Sequence, residues 1–142
     1  MQTYGRHLLM EYQGCDREIL NNPEQLKEWM FRAAQASGAT VVADVFHSFS
    51  PCGMSGVLVL QESHLSIHTW PENGYAAMDF YTCGDCDPFE GHLVLCQGLK
   101  PAHFEIMDVS RGAIEDANSL QVQDHTVDAG NFAAKLAAGG QR

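Results

Sequence analysis

Three strand-like segments follow one another in the middle of the chain with no helical segment between them. They read GVLVLQ, LSIHTW and AAMDFYT, and they fall between Gly56 and Thr82. A parallel pair of strands needs a long crossover connection, usually a helix, whereas antiparallel neighbours need only a short turn. Because the connections here are short, the three segments predict antiparallel strands that lie side by side in one sheet.

Further strand candidates and two helices surround this central group. RHLLMEY (6–12), TVVADVF (40–46) and HFEIMDV (103–109) are the other strand candidates. One helix is predicted with Asn22 as its cap, Pro23 at its first position and Gly38 at its end. A shorter helix begins after Pro88 and ends near Gly98. This order favours an α+β two-layer sandwich, a mostly antiparallel sheet with helices on one face.

The length of 142 residues fits one domain with a substantial core. We expect residues 1–117 to form that domain. From residue 118 the sequence turns polar and then small, ending in AAKLAAGGQR. We therefore expect 118–142 to be a flexible C-terminal tail.

Composition excludes several classes of partner. Eighteen acidic residues against eight basic ones give a net charge of −10, which argues against a nucleic-acid surface. The negative charge is explained either by solubility or by an electrostatic field that attracts a cationic substrate.

No apolar run approaches the length of a membrane span, which predicts a soluble protein without a membrane partner. Five cysteines, an odd number, and no secretory signal predict the cytoplasm.

The segment around LSIHTW carries the candidate chemistry. Strand alternation sends Leu65 and Ile67 to one face of the sheet, and His68 and Trp70 to the other. Ser63 precedes this strand at a break, where a turn could present its hydroxyl and strain the preceding peptide. His68 lies five residues further, too far along a straight strand for a hydrogen bond to Ser63. A turn serine and a lone strand histidine are usually structural, so periodicity alone does not establish a site.

A second group of residues offers a metal or redox alternative. Cys83 and Cys86 form a C-x-x-C pair, and His92 and Cys96 follow as conceivable further zinc ligands. The spacing is irregular, and half of it falls on the second helix. CGDC also has the spacing of a redox pair, but it lacks the βαβ context of thioredoxin-like proteins.

The longest motif brings a resemblance to a known family. ESHLSIHTWPENGYAAMDFYTCGD resembles the signature of the bacterial and archaeal S-adenosylmethionine decarboxylases, which are made as proenzymes and use a pyruvoyl group. GRHLLMEYQGC, FHSFSPCGMSG and IMDVSRG extend the resemblance from Tyr4 to about Gly112. It implies that the chain cuts itself between Glu62 and Ser63.

The resemblance also implies a role for each matching position. Ser63 becomes the pyruvoyl group, which forms a Schiff base with the substrate amine and accepts electrons as carbon dioxide leaves. Ser55 and His68 assist processing, and Cys83 is the proton donor. The implied substrate-binding residues are Phe49, Leu65, Trp70 and Glu72. No metal is required. Cys52 and Cys86 are extra thiols beside the family positions.

The implied reaction converts S-adenosylmethionine into the aminopropyl donor for spermidine synthesis, in a homodimer whose sites draw on both protomers. Relatives on the same fold decarboxylate ornithine or arginine, and the processing residues do not distinguish these substrates. A third alternative, of a different class, is a non-enzymatic zinc or interaction module.

Overall fold

The computed structural model describes residues 3–115 and 117–128, which form seven strands, three α-helices and a 3-10 turn at Pro71–Asn73. The strands are β1 (Gly5–Gln13), β2 (Val41–Ser48), β3 (Met54–Leu60), β4 (Ser63–Trp70), β5 (Tyr75–Cys83), β6 (His103–Arg111) and β7 (Gln121–Asp128). The helices are α1 (Arg17–Leu20), α2 (Pro23–Ala36) and α3 (Pro88–Leu99). None of these helices has the length and apolar character of a membrane span.

All seven strands belong to one sheet, in the order β2-β3-β4-β5-β1-β6-β7. Every neighbouring pair is antiparallel. β1 lies between β5 and β6, so the first strand of the chain joins segments that are far apart in sequence. The predicted α+β sandwich with an antiparallel sheet is confirmed.

The two faces of the sheet differ in chemistry because side chains alternate along each strand. One face is apolar and packs against α2 and α3; its fully buried side chains include Leu8, Leu58, Leu65, Ile67 and Phe80. No helix of the described chain covers the other face. We call this second face the open face; it is formed by the alternate residues of β1, β3, β4, β5 and β6 that include His7, Ser55, His68, Asp79 and Arg111.

Side chains cap the helices where the sequence predicts that they begin. Asn22 Oδ1 accepts a hydrogen bond of 3.2 Å from the backbone N–H of Gln25, and Pro23 occupies the first turn of α2. Asp87 caps α3 in the same way through the N–H of Phe89. The short α1, which the sequence analysis does not predict, begins at its own cap, Asp16.

The C-terminal segment differs from the sequence-based expectation of a tail at 118–142. Residues Gln121–Asp128 form β7, which pairs with β6 along its length. QVQDHTVD lacks an apolar alternation because most of this edge strand is exposed, so its order comes from backbone hydrogen bonds to β6. The remaining residues of the expected tail, 129–142, lie outside the described residues.

A buried histidine lies between the sheet and α3. His92 Nδ1 is 2.6 Å from the hydroxyl of Tyr12, and the two rings are stacked. Burial lowers the pKa of His92 to about 4, an effect that the charge of Asp128 only partly opposes. The imidazole is therefore neutral at pH 7, and the Tyr12 hydroxyl that contacts it also lies 3.3 Å from Met10 Sδ.

This pKa predicts an acid-sensitive fold. In the unfolded chain His92 takes up a proton near pH 6.5, but in the folded chain only near pH 4. The contribution of neutral His92 to the free energy of unfolding is therefore fully present above pH 6.5. It is lost as the pH drops towards 4, which lowers the free energy of unfolding by up to about 3 kcal/mol. The free energy of unfolding, measured with urea across this pH range, should depend less on pH for His92→Asn than for the parent protein. His47→Asn, at an exposed position, is the control; equal slopes for all three proteins would contradict the prediction.

Candidate active site

A two-residue turn joins β3 to β4 where the sequence analysis expects strain. Leu60 ends β3 and Ser63 begins β4, so the turn consists of Gln61 and Glu62. Glu62 has φ of +64°, in the left-handed region that residues other than glycine disfavour. A backbone strain of about 1–3 kcal/mol therefore lies on the residue that precedes Ser63.

The hydroxyl of Ser63 has unusual surroundings. Ser63 Oγ is buried and has no hydrogen-bond partner in the described part of the chain. A buried hydroxyl without a partner costs about 1–3 kcal/mol, so such groups are uncommon in folded proteins. The oxygen also adjoins the peptide that follows the strained Glu62. A free hydroxyl beside a strained peptide is suited to act as an internal nucleophile.

Ser55 and His68 form a hydrogen-bonded pair on the open face. Their positions are directly opposite in the register of β3 and β4, and Ser55 Oγ lies 2.7 Å from His68 Nδ1. His68 is exposed, so the rest of its ring is open to a partner or ligand. A hydroxyl that holds an imidazole in place is a common arrangement for proton transfer.

Within one chain the fold does not bring this pair to Ser63. Ser63 is the first residue of β4 and His68 the sixth, which puts them roughly 16 Å apart at about 3.3 Å per residue. Alternation also places Ser63 on the side of Leu65, whereas His68 projects from the open face. The nucleophile candidate and the acid–base pair therefore lie at opposite ends of one strand.

Cys83 lies at the same end of the sheet as Ser63. It ends β5, two residues beyond Tyr81, which pairs with His64 of β4. The Sγ of Cys83 is 3.6 Å from the Sγ of Cys86, across a turn closed by a hydrogen bond from Cys86 N to Cys83 O. Alternation places Cys83 on the open face with Asp79 and Tyr81, and its thiol is only partly buried.

The aromatic candidates lie at the other end of β4. Trp70 stacks on Tyr75 of β5, with ring centres 5.1 Å apart, and 42% of its surface is exposed. Phe49 follows β2 and is 52% exposed, with its ring against that of His47. Both rings keep a free surface that could contact a ligand with a positive sulfur.

Glu72 and Leu65 have contrasting environments. Glu72 is exposed, and its carboxylate accepts a hydrogen bond of 2.9 Å from the thiol of Cys52. Leu65, in contrast, is fully buried on the helix-covered face. Leu65 lies on the same side of β4 as Ser63, and its role as a wall of the binding site stays a prediction.

The four zinc-ligand candidates do not meet. Cys83 and Cys86 are at the end of β5, whereas His92 contacts Tyr12 in the core and Cys96 lies beside it. In residues 3–115 and 117–128, no group of three or more potential ligand side chains includes any of the four.

Comparison with known proteins identifies the family. The sequence model of the S-adenosylmethionine decarboxylase family matches residues 6–112. The chain belongs to the S-adenosylmethionine decarboxylase family. The resemblance stated from its sequence motifs is thereby confirmed.

Individual relatives of this S-adenosylmethionine decarboxylase family member match along almost their whole length. A Thermotoga maritima protein named S-adenosylmethionine decarboxylase proenzyme is 47% identical over 126 residues, 88% of this chain and 97% of the relative. A proenzyme of the same name from Caldicellulosiruptor saccharolyticus is 47% identical over 116 residues, 81% of this chain and 94% of the relative. The crystal structure of the adenosylmethionine decarboxylase from Aquifex aeolicus superposes with a TM-score of 0.73 at 32% identity, covering 83% of this chain and 99% of that one.

The open face of this S-adenosylmethionine decarboxylase family member also carries a polar cluster that the sequence patterns do not predict. His7 Nε2 and His64 Nε2 lie 2.6 and 2.7 Å from the same oxygen of Asp79, and Ser66 donates to its other oxygen. Burial raises the pKa of Asp79, but hydrogen bonds from His7, Ser66 and His64 outweigh it and hold that pKa well below its usual range. A single carboxylate therefore joins β1, β4 and β5.

The same cluster has the residue types of a metal site, but its hydrogen bonds argue against one. The ligand atoms of His7, His64 and Asp79 lie within 4.8 Å of one another. However, Arg111 Nη1 is 3.0 Å from His7 Nδ1, and a guanidinium can only donate. His7 Nδ1 is then an acceptor, so Nε2 of the neutral ring carries its hydrogen and cannot bind a cation. The cluster is a hydrogen-bond network.

Removal of the Asp79 charge should destabilise the fold measurably. Asp79→Asn leaves two imidazoles and a hydroxyl without their shared charged acceptor, and we expect it to lower the free energy of unfolding by about 1–3 kcal/mol. Asp44→Asn is the matched control, because Asp44 forms an exposed ion pair with Lys27. That change should cost less than about 1 kcal/mol. Urea unfolding at pH 7 measures both, and equal losses would show that the network contributes nothing beyond a surface pair.

Proposed function

We propose that this chain is a self-processing decarboxylase of S-adenosylmethionine that carries a pyruvoyl group at position 63. The observation that carries the proposal is the β3–β4 turn, where Glu62 has φ of +64° and the next residue, Ser63, has a buried hydroxyl without a partner. The relatives named as proenzymes support self-processing, since a proenzyme must be converted to its active form.

The proposed processing uses groups at the turn. Ser63 Oγ attacks the carbonyl carbon of Glu62, and the peptide becomes an ester as its nitrogen is released. Removal of the Ser63 α-proton then expels the Glu62 carboxylate and leaves dehydroalanine. Addition of water and loss of ammonia give the pyruvoyl carbonyl at the head of the chain 63–142, and the strain on Glu62 is relieved because that residue becomes a chain end.

The unengaged Ser63 hydroxyl fits a residue that is to be converted rather than retained. The pyruvoyl carbonyl would supply a sink for the electrons released as carbon dioxide leaves the substrate. Cys83, at the same end of the sheet, holds a thiol proton for return to the α-carbon. The product would be the aminopropyl donor for spermidine synthesis.

Substrate recognition is proposed for the exposed groups near the end of β4. Trp70 and Phe49 offer aromatic faces to the positive sulfur, and Glu72 offers a carboxylate to the ribose hydroxyls. The chain's net charge of −10 also favours the approach of a cation. All five cysteines are free thiols, which supports the proposed location in the reducing cytoplasm.

We further propose a homodimer that completes each site with both protomers. The Ser55–His68 pair and Ser63 lie at opposite ends of β4, and a two-fold axis across the strands would bring one end of β4 next to the other end in the partner. The open face also exposes Leu9, Val59 and Trp70, each more than 40% accessible. Such exposed apolar groups among polar ones favour association of two copies through this face.

A single mass measurement tests the cleavage and the substrate. The purified protein is offered S-adenosylmethionine, ornithine and arginine together with a mild hydride reductant that fixes covalent amine adducts, and its denatured mass is recorded. We expect two chains, 1–62 and 63–142, with the larger one carrying an S-adenosylmethionine-derived adduct. An ornithine or arginine adduct would identify the alternative decarboxylase. An uncut, unmodified chain would refute the proposal.

Substitution at position 63 checks the assignment of the nucleophile. Ser63→Ala should remain one uncut chain because it lacks the attacking oxygen. Ser66→Ala, the same change three residues further along β4, should still be cut. Cleavage of the Ser63→Ala variant at the same peptide would exclude Ser63 as the nucleophile, whatever the activity of either protein.

Co-expression of two defective chains tests the shared site. His68→Ala alone should be cut slowly because its partner also lacks the imidazole. When it is co-expressed with Ser63→Ala, the intact His68 of that chain can serve Ser63 of the His68→Ala chain, which should then be cut at close to the normal rate. Mass identifies which chain is cut. Co-expression with a Ser63→Ala, His68→Ala double variant is the control, and equal cleavage in the two mixtures would contradict the shared site.

A further inference from the structure

The thiols of Cys83 and Cys86 form a close pair at the surface end of β5. Their sulfur atoms are 3.6 Å apart, and neither side chain is fully buried. The other three cysteines are placed differently: Cys15 and Cys96 are buried in the core, and the Cys52 thiol donates to Glu72. The family resemblance assigns a role to Cys83 but none to Cys86, which is an extra thiol beside the family positions.

The backbone between the two cysteines suits a disulfide. Cys83, Gly84, Asp85 and Cys86 form a turn closed by a hydrogen bond of 3.1 Å from Cys86 N to Cys83 O. Turns of this kind hold their first and last Cα atoms less than about 7 Å apart, close to the range that a disulfide spans. Gly84 and Asp85 are exposed, so a small adjustment of the turn meets no packed neighbour.

The surroundings also distinguish the two thiols. Burial raises the pKa of Cys86 to about 11, with the hydrogen bond to Cys83 and the nearby charge of Asp85 adding to it. Cys86 therefore keeps its proton at neutral pH and can donate it towards the sulfur of Cys83. Both thiols are partly exposed, so an oxidant can reach the pair from solvent.

We propose that Cys83 and Cys86 are an oxidisable dithiol whose disulfide removes the proton donor and reversibly stops the decarboxylation. A hydroperoxide is the oxidant. The Cys83 sulfur attacks the distal peroxide oxygen, the O–O bond breaks, and a sulfenic acid forms with release of water or an alcohol. The Cys86 sulfur then displaces the hydroxyl as water, so two thiols lose two hydrogens and two electrons in all. A dithiol reductant reverses the reaction by thiol exchange.

The catalytic consequence rests on the proposed function, whereas the formation of the disulfide does not. With its sulfur bonded to Cys86, Cys83 has no hydrogen to return to the substrate carbon. General acid catalysis typically contributes 10²–10⁴ in rate, so we expect oxidation to lower turnover by about a hundredfold or more. The substrate contacts proposed for Trp70, Phe49 and Glu72 should change little, because these residues lie near the opposite end of β4.

Two readouts on the intact protein test the proposal separately. The protein is treated with limiting hydrogen peroxide, denatured, alkylated with N-ethylmaleimide and analysed by mass and peptide mapping. We expect the peptide with Cys83 and Cys86 to lose two hydrogen atoms and both alkylation sites, and dithiothreitol to restore them. Free, alkylated thiols in that peptide, or stable sulfinic acid at Cys83 instead, would overturn the dithiol whether or not the protein is a decarboxylase.

Turnover is followed on the same samples. Cys86→Ser should keep its basal activity but form no disulfide, so its loss of activity under excess peroxide should not be reversed by dithiothreitol. Cys52→Ser, which removes a different exposed thiol, should still show the reversible response. A disulfide that forms while turnover stays unchanged would overturn the regulatory claim. If neither sample decarboxylates the substrate, the proposed function fails, and the mass result still decides whether the dithiol exists.

Discussion

The antiparallel register of β4 with its two neighbours is the constraint on which the site depends. With Ser55 opposite His68 on one side and Asp79 opposite Ser66 on the other, the polar side chains at alternate positions of β4 from His64 to His68 face away from the helices. Since side chains alternate with a period of two, a slip by one residue would bury His68 and expose Ile67. The apolar face prevents this slip, because it would remove Leu65 and Ile67 from the core. Packing under the helices therefore determines the chemistry of the open face.

Local sequence patterns predict the parts of this structure that depend on neighbouring residues. Alternation in LSIHTW correctly assigns Leu65 to the core and His68 to the opposite face. Caps at Asn22 and before Pro88 correctly mark where α2 and α3 begin. The strained turn before Ser63 is also predicted from the break between two strand patterns. Each of these features is decided within a few residues by sterics, hydrogen bonding or burial.

Features that join distant strands are not predictable in the same way. His7 and Asp79 are 72 positions apart, and they meet only because β1 inserts between β5 and β6. β7 carries no apolar alternation, and its order comes from the free edge of β6.

The arrangement around the β3–β4 turn explains how a proposed cut in the backbone need not unfold the protein. The destabilising features, the positive φ of Glu62 and the unpartnered hydroxyl of Ser63, are confined to the residues on either side of the scissile bond. The strands that flank the bond are held independently of it. β3 pairs with β2 as well as with β4, and β4 pairs with β5 from His64 to Trp70. Opening the turn would relieve local strain and lose few ladder hydrogen bonds, so the two chains would stay in one sheet with Cys83 still at the end of β5.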